Sequence, residues 1–212
     1  MNYANLIDDT NLHADAVEAD IISLCNEAKE IGAASVCVNP DYIELSKNLL
    51  KGSKVKVCTV IGFPLGSMTT ESKVFEAKDA INKGADEVDM VINISKLKDH
   101  KDDYVRNEVK AIKEACGEHI LKVILECCLL TDKEIERACV LCKEAKADFV
   151  KTSTGFSTHG ATIKDVALMR KTVGPEMGVK AAGGVRTPED LKAMVDAGAN
   201  RIGASHGKNL VK

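Results

Sequence analysis

The segment GADEVDMVIN, residues 84–93, decides the fold because its side chains alternate in character. Apolar residues at positions 88, 90 and 92 alternate with polar residues at 87, 89 and 93. This period of two is typical of a β-strand with one apolar and one polar face. The segment LKVILE, residues 121–126, repeats the pattern with Lys122 and Glu126 on its polar side. We therefore expect strands that bury one face and carry polar groups on the other.

Apolar or β-branched runs of this kind recur along the whole chain and are separated by longer helical patterns. The predicted strands cover residues 6–10, 35–39, 55–61, 87–93, 121–126, 149–153, 179–182 and 201–204. Helices are predicted, for example, over 16–31 and 187–197, and the second begins with a capping Thr187 followed by Pro188. Strands that alternate with helices indicate a parallel sheet.

Such a sheet either closes into a (β/α)8 TIM barrel or stays open and doubly wound. Helices cover both faces of an open doubly wound sheet, so its strands should be apolar throughout. In a barrel only the outward face meets helices, and the inward face lines the active site at the C-terminal mouth. The alternation therefore favours an α/β fold with one TIM-barrel domain over residues 1–212. Because little chain follows the eighth strand, we expect the last helix to be short or missing.

Composition excludes several classes of protein. The 212 residues are 45% hydrophobic and 29% charged, which is the balance of a globular chain and not of a disordered one. Aromatic residues are 3%, the net charge is −3, and no basic run occurs, so we expect no nucleic-acid partner. The first residues lack signal-peptide features and no apolar run reaches eighteen residues, which predicts a cytoplasmic protein without membrane contact.

The chain contains eight cysteines, which we interpret as free thiols, mostly buried. Four are in strand-like runs and four in helical patterns; they are Cys37, Cys58, Cys127 and Cys128, and Cys25, Cys116, Cys139 and Cys142. The spacing Cys139-x-x-Cys142 suits a metal or redox site, but on a helix it more often marks a stripe that faces the core.

Two lysines follow neighbouring apolar runs and precede loops of small residues, where a barrel places its reactive groups. They are Lys151 and Lys180. Most lysines are solvated, with their aliphatic stems packed on the protein surface. The position of these two, each between an apolar run and a small-residue loop, favours a functional role over that alternative. A lysine nucleophile must be neutral, and a second ammonium about 5 Å away opposes protonation by roughly 3 kcal/mol. Paired lysines therefore suit Schiff-base chemistry on a carbonyl compound.

Two aspartates belong to the same expected mouth. Asp89 has the inward parity of its strand and is a candidate for proton transfer with Lys180, although a structural counter-ion is an equal alternative. Asp8 would line the mouth if residues 6–10 form the first strand, and it could equally be a turn residue.

Small-residue loops after the seventh and eighth strands indicate a phosphate site. Gly183 and Gly184 follow one strand, and Gly203 and Ser205 belong to the next. Glycine lets backbone N–H groups approach an anion closely, and these two loops build the phosphate site of many barrels. Arg186 adds charge there or is an exposed loop residue.

Metal-assisted chemistry is the weaker alternative. The five histidines show no spacing typical of a metal site, and there is no Walker loop or dinucleotide fingerprint. We therefore expect no metal and no cofactor.

Seven strings, taken together, resemble the deoxyribose-phosphate aldolase family. They are VCVNP at 36–40, VCTVIGFPLG at 57–66, GADEVDMVINI at 84–94, ECCLLTD at 126–132, DFVKTSTGFSTHGAT at 148–162, VKAAGGVRT at 179–187 and GANRIGAS at 198–205. The resemblance implies a (β/α)8 barrel that reversibly cleaves 2-deoxy-D-ribose 5-phosphate into acetaldehyde and glyceraldehyde 3-phosphate through a Schiff base, in deoxynucleoside catabolism.

The resemblance also implies roles for single residues. Lys151 takes the place of the Schiff-base nucleophile, and Lys180 and Asp89 take those of its proton-transfer partners. The substrate-binding positions implied are Asp8, Thr10, Cys37, Gly155, Gly183, Gly184, Gly203 and Ser205, to which we add Arg186 and His206 as neighbours of the phosphate.

Three departures from the family pattern stand out. The family commonly has DHTLLKP where this chain has DDTNLHA at 8–14, which introduces Asp9 and Asn11. His206 replaces a second serine, and the given chain ends at Lys212 without the tyrosine that assists proton transfer in some relatives.

Two alternatives to this aldolase stay open at the level of sequence. Another Schiff-base barrel, such as a transaldolase-like enzyme, would transfer a dihydroxyacetone unit. A non-catalytic barrel that binds sugar phosphates would keep the phosphate loops, although the intact lysine pair argues against it. The expected partners are a sugar phosphate and aldehydes, and either a homodimer or a homotetramer is compatible with the sequence.

Overall fold

Eight parallel strands close into a barrel in the computed structural model, which describes residues 3–211. The strands are β1 (Ile7–Asn11), β2 (Ser35–Val38), β3 (Lys56–Ile61), β4 (Glu87–Val91), β5 (Ile120–Ile124), β6 (Phe149–Lys151), β7 (Gly178–Ala182) and β8 (Arg201–Ala204). Each strand pairs with the next, and β8 pairs with β1, so the sheet has no free edge. The predicted TIM barrel is confirmed.

The helices surround the barrel. They are α1 (Glu18–Ile31), α2 (Ile43–Leu49), α3 (Thr70–Asn82), α4 (Ile94–Lys98), α5 (Asp102–Cys116), α6 (Asp132–Glu144), α7 (Ile163–Val173) and α8 (Pro188–Asp196). One 3-10 turn, Gly207–Leu210, follows β8 in place of a final helix, which confirms the expected shortening. Within residues 3–211, every helix is too short or too polar to cross a lipid bilayer.

Capping residues fix the starts of the helices that follow the active-site loops. The Thr131 side chain accepts a hydrogen bond from the Glu134 backbone N–H at the start of α6, and the Glu134 carboxylate accepts one from the Thr131 backbone N–H. Thr187 and Asp190 form the same reciprocal pair at the start of α8. Each such cap stabilises a helix by about 1 kcal/mol. The loops between β5 and α6 and between β7 and α8 therefore end at defined points.

The two faces of the strands differ as the alternation predicts. Outward residues such as Val36, Val88 and Val179 are fully buried between barrel and helices. Burial of each such side chain contributes about 1.5–3 kcal/mol to folding. A second, smaller apolar cluster belongs to the barrel interior and contains Leu12, Cys37, Cys58 and Val60, with Phe63 packed against it. Charged side chains, among them Asp8, Asp89, Lys122 and Lys180, fill much of the remaining interior.

The cysteine predictions hold with one exception. All eight are free, and all are buried except the half-buried Cys128. Cys127 and Cys128, predicted in a strand-like run, instead lie in a 3-10 turn, because β5 ends at Ile124 and Glu126 adopts a left-handed backbone (φ 58°). The apolar sequence extends past the end of β5. The backbone there still bonds to the neighbouring segment, since Cys127 N–H donates to Thr152 O at 2.9 Å.

Candidate active site

Lys151, Lys180 and Asp89 meet inside the barrel. The Nζ atoms of both lysines donate to the same oxygen, Asp89 Oδ2, each at 2.8 Å. The two nitrogens therefore lie within about twice that distance of each other. Lys151 is 3% exposed, and Lys180 and Asp89 are fully buried. The structure brings the three predicted reactive residues into direct contact and places a carboxylate between the two lysine nitrogens.

A third lysine binds the other oxygen of the same carboxylate. Lys122 Nζ lies 2.8 Å from Asp89 Oδ1 and 2.6 Å from Glu87 Oε2. Sequence reasoning did not select Lys122 as a site residue, although its inward parity in β5 was the signal that could have found it. Because Lys122 occupies Oδ1, Asp89 presents Oδ2 to Lys151 and Lys180.

Asp8 extends the network toward the other end of the barrel. It forms an ion pair with Lys180, and its Oδ1 accepts hydrogen bonds from Ser35 Oγ and Arg201 Nη1, both at 2.7 Å. Arg201 Nη1 also lies 2.9 Å from Glu87 Oε2. Buried cations and anions are thus paired along the interior, which such groups require in a low-dielectric environment.

The network has clear electrostatic consequences. Burial alone would raise the pKa of Asp89, but Lys122, Lys151 and Lys180 together hold it well below its ordinary value. Burial would likewise lower the pKa of Lys180, but Asp8 and Asp89 raise it above the ordinary value for lysine. Asp89 is therefore a carboxylate and Lys180 an ammonium at neutral pH. The negative charge of Asp89 offsets the electrostatic repulsion between the two lysine side chains.

A cavity of about 800 Å³ opens above this network at the C-terminal mouth of the barrel. Nine of the predicted site residues line it, namely Thr10, Lys151, Gly155, Gly183, Gly184, Arg186, Gly203, Ser205 and His206. Asp8 and Asp89 lie beneath the cavity in the charged interior. Cys37 is fully buried in the apolar interior cluster and does not belong to the cavity lining formed by the described residues.

The loops that follow β6 and β7 join to form one wall of the cavity. Gly183 has a φ of 80°, and a Cβ atom there would lie 2.9 Å from the Gly160 Cα atom. Glycine is therefore required by both backbone conformation and close approach. Ala161 N–H lies 2.9 Å from Gly183 O and ties the two loops together.

Three further residues shape the mouth, and sequence reasoning did not select them. Phe156 is 54% exposed, lines the cavity and packs edge-on against Phe63 with ring centroids 5.3 Å apart. Glu126, in its left-handed conformation, accepts hydrogen bonds from the backbone and the hydroxyl of Thr154. Glu126 thus fixes the loop that follows Lys151. The signal for Glu126 was its place at the end of a predicted strand.

Side chains able to hold a metal ion also occur beside the network. Within residues 3–211, the sulfurs of Cys37 and Cys58 and one Asp89 oxygen lie within 4.8 Å of one another. Asp8, Cys58 and Glu87 form a second such group.

A buried lysine at the wall of an open cavity, in contact with a carboxylate that also binds a second lysine, suits covalent catalysis through an imine. The amine supplies the nucleophile, and the carboxylate accepts and returns protons.

Comparisons with known proteins agree with this chemistry. The DeoC/LacD family aldolase model matches residues 3–211. A deoxyribose-phosphate aldolase of Bacillus subtilis is 62% identical over 213 residues, which is all of this chain and 96% of the relative. One from Thermoanaerobacter pseudethanolicus is 58% identical, with 100% and 96% covered. The solved deoxyribose phosphate aldolase of Aeropyrum pernix superimposes with a TM-score of 0.90 at 36% identity, covering 99% of this chain and 89% of the other.

The family match covers nearly the whole chain, and the closed barrel, the buried lysine pair and the small-residue loops are the features that a Schiff-base aldolase needs. The chain belongs to the DeoC/LacD family of aldolases, among its deoxyribose-phosphate aldolases.

Proposed function

We propose that Lys151 is the Schiff-base nucleophile of a class I aldolase that reversibly cleaves 2-deoxy-D-ribose 5-phosphate into acetaldehyde and D-glyceraldehyde 3-phosphate. The observation that carries this assignment is the position of Lys151, which both lines the cavity and contacts Asp89 Oδ2. Lys180 contacts the same oxygen but lies deeper, fully buried and paired with Asp8 as well. Lys151 is therefore the lysine that a substrate can reach.

The reaction begins with the open-chain aldehyde of the substrate. The neutral amine of Lys151 attacks C1, and loss of water leaves an iminium ion. Removal of the proton from the C3 hydroxyl then breaks the C2–C3 bond, and its electron pair moves into the iminium to give an enamine. Carbon 3 leaves as the aldehyde of glyceraldehyde 3-phosphate. Protonation of the enamine at C2 and hydrolysis of the iminium release acetaldehyde and restore Lys151.

Asp89 and Lys180 move the protons that these steps require. In the resting site Asp89 Oδ2 accepts hydrogen bonds from both lysines, so a proton leaving Lys151 has an acceptor in direct contact. Lys180 can then supply a proton from the opposite side of the same oxygen. Lys122 and Asp8 keep this carboxylate and this ammonium in place throughout.

The phosphate group of the substrate would bind at the loops that follow β7 and β8. Gly183, Gly184, Gly203 and Ser205 line the cavity there, together with Arg186 and His206. Backbone N–H groups of such loops favour a dianion. Lys151 lines the same cavity, so a substrate held by its phosphate at these loops can present its aldehyde carbon to the amine.

The test combines turnover with covalent trapping. We expect the protein to release acetaldehyde from 2-deoxy-D-ribose 5-phosphate in the presence of EDTA. Acetaldehyde and borohydride together should leave one ethyl group on Lys151, located by peptide mass spectrometry.

The variant Lys151→Arg is the matched control, because it keeps a cation but cannot form an imine. It should lose both turnover and the label. Labelling of Lys180 in the wild-type protein, or turnover restored to Lys151→Arg by a divalent metal, would contradict the assignment.

Three coarser properties accompany the proposal. The Aeropyrum pernix relative is described as tetrameric, which supports a homodimer or homotetramer for this chain. One aldolase domain over residues 1–212 is supported by a family match that covers residues 3–211. A cytoplasmic location and the lack of a nucleic-acid partner remain predictions from the sequence.

A further inference from the structure

We propose that Cys37, Cys58 and Asp89 form an inhibitory site for a thiophilic divalent cation such as Zn²⁺, which switches the aldolase off by capturing its proton-transfer carboxylate. The two cysteines are paired residues of β2 and β3, so both side chains enter the barrel at the same level. Cys58 Sγ lies 3.1 Å from Asp89 Oδ1.

The spacing of these atoms suits tetrahedral zinc. With Zn–S bonds of about 2.3 Å and a Zn–O bond of about 2.1 Å, tetrahedral geometry places any two ligand atoms roughly 3.6–3.8 Å apart. The two sulfurs and the Asp89 oxygen all lie within 4.8 Å of one another, so movements of an ångström or less bring them to one ion. Two thiolates and one carboxylate form a ligand set that zinc and cadmium prefer over magnesium or calcium.

A disulfide between the same cysteines is the competing use of this pair. Both thiols are free in the structure, and paired residues of neighbouring parallel strands project side by side. A disulfide needs Cβ vectors that converge on each other, whereas a metal ion accepts ligands that point in parallel.

The charge balance permits an ion in this buried place. Binding of Zn²⁺ replaces the two thiol protons, which pass to solvent, so the net charge of the interior is unchanged. Lys122 gives up its contacts with Asp89 Oδ1 and with Cys58 Sγ, which its Nζ reaches at 3.3 Å, but retains Glu87 Oε2 at 2.6 Å. No oxidation or reduction is involved.

The active-site cavity provides the route of entry. Thr10 lines the cavity and is the register partner of Cys37. Leu12 also lines the cavity, is 7% exposed and packs on the cysteine pair. A shift of the Leu12 side chain therefore suffices to expose the sulfurs to ions from the mouth.

Inhibition follows from what the ion does to Asp89. A carboxylate bound to Zn²⁺ is a much weaker base, so it no longer accepts a proton from Lys151. This consequence rests on the proposed function, whereas occupation of the site does not. Loss of a positioned proton acceptor lowers turnover by roughly 100-fold or more.

Binding is measured first and without any assay of activity. Cd²⁺ titrated into the reduced protein should give an ultraviolet thiolate-to-metal charge-transfer band that saturates at one ion per chain. The band should be lost in Cys37→Ser and in Cys58→Ser and kept in Cys128→Ser, which removes the half-buried thiol outside the site. An unchanged band in both site variants would overturn the proposal.

X-ray absorption of the zinc-loaded wild-type protein gives a second reading that needs no variant. We expect two sulfur ligands at about 2.3 Å together with oxygen ligands. A shell without sulfur would refute the site even if a cysteine variant fails to fold.

Turnover measures the inhibitory half of the proposal. Zn²⁺ should inhibit the wild-type protein and Cys128→Ser, EDTA should restore full activity, and each site variant should keep its own metal-free rate when Zn²⁺ is added. A saturated cadmium band with undiminished turnover would contradict the inhibition and leave the aldolase assignment untouched. A protein without turnover at any metal concentration that still shows the band would instead count against the proposed function.

Discussion

Lys151 and Lys180 are register partners on β6 and β7, so their side chains leave the barrel wall at the same level and converge on one oxygen atom. The pairing of β6 with β7 sets the two side chains next to each other inside the barrel, and Asp89 on β4 supplies the shared acceptor. Access then separates their roles, because Lys151 lines the cavity and Lys180 is fully buried.

Replacement of Lys180 tests its influence on the nucleophile. In Lys180→Leu, Asp89 Oδ2 binds Lys151 alone and stabilises its ammonium form more strongly. Borohydride trapping of acetaldehyde should then require a higher pH than in the wild type. Turnover should fall by roughly 100-fold or more because a proton donor is lost.

Lys180→Arg is the control for that experiment. It keeps a positive charge but exchanges protons poorly. The trapping profile should stay near that of the wild type while turnover remains low. An unshifted trapping profile in Lys180→Leu would show that Lys180 does not act on Lys151 through its charge.

Asp89→Asn should have the opposite effect on trapping. Without the shared carboxylate, Lys151 loses its anionic partner while Lys180 keeps Asp8, so the charge of Lys180 acts on Lys151 with less offset and trapping should begin at lower pH than in the wild type. Turnover should nevertheless fall by roughly 100-fold or more. Lys180 retains Asp8 and Lys122 retains Glu87, so the variant is expected to fold. Trapping that shifts to higher pH would contradict this role for Asp89.

His206 provides a prediction about phosphate binding. It lines the cavity beside Ser205, and an N–H of its ring can donate a hydrogen bond to the substrate phosphate. KM for 2-deoxy-D-ribose 5-phosphate should therefore rise by roughly 2- to 10-fold in His206→Ser, because the shorter side chain does not reach as far. His159→Ser removes an exposed histidine outside the described cavity lining and should behave like the wild type. An unchanged KM in His206→Ser would mean that His206 points away from the phosphate.

Asp9 should make the stability of the fold depend on pH. Burial, together with the nearby Glu27, raises the pKa of Asp9 to about 7, although its Oδ1 accepts a hydrogen bond from Gly207 N–H at 3.0 Å. The folded protein therefore holds a proton that the unfolded chain loses above about pH 4. This contribution to stability falls as the pH rises from about 4 to 7 and then stays constant.

Asp9→Asn keeps an acceptor for Gly207 but cannot ionise. Relative to the wild type, we expect it to gain roughly 2 kcal/mol in the free energy of unfolding between pH 5 and pH 8, measured by denaturant titration. Asp15→Asn removes an exposed carboxylate and should show no such gain. Equal pH profiles for Asp9→Asn and the wild type would indicate that Asp9 is ionised in the folded protein.

The sequence predicted the barrel because strand alternation is a local property that survives folding. The bounds of β8 match exactly the predicted residues 201–204, while predicted strands 121–126 and 149–153 end earlier, at Ile124 and Lys151. The apolar pattern does not show where the hydrogen-bond ladder between strands ends. It also does not show where a residue in the left-handed conformation, such as Glu126, turns the chain.

The site was predictable where inward parity or a place near the end of an apolar run marks a residue, and less so where a residue acts through a partner. Lys151, Lys180 and Asp89 carried the lysine-pair argument, whereas Lys122 escaped it because its function depends on which oxygen of Asp89 it binds. Cys37 was expected at the substrate pocket from resemblance, but the structure places it behind Leu12. Such relationships depend on depth inside the barrel, which one strand's sequence does not encode.

The ionic interior has a consequence for how this enzyme can be altered. Inside the barrel, a chain of ion pairs runs from Arg201 through Asp8, Glu87, Lys122, Lys180 and Asp89 to Lys151. Each charge compensates a neighbour, so a substitution at any of them leaves a buried charge unpaired and affects both folding and chemistry. Phe156, Arg186 and His206 line the cavity but lie outside this buried network of ion pairs. New preferences for aldehyde or acceptor substrates should therefore evolve through substitutions at these exposed cavity residues, while the buried charged residues stay the same.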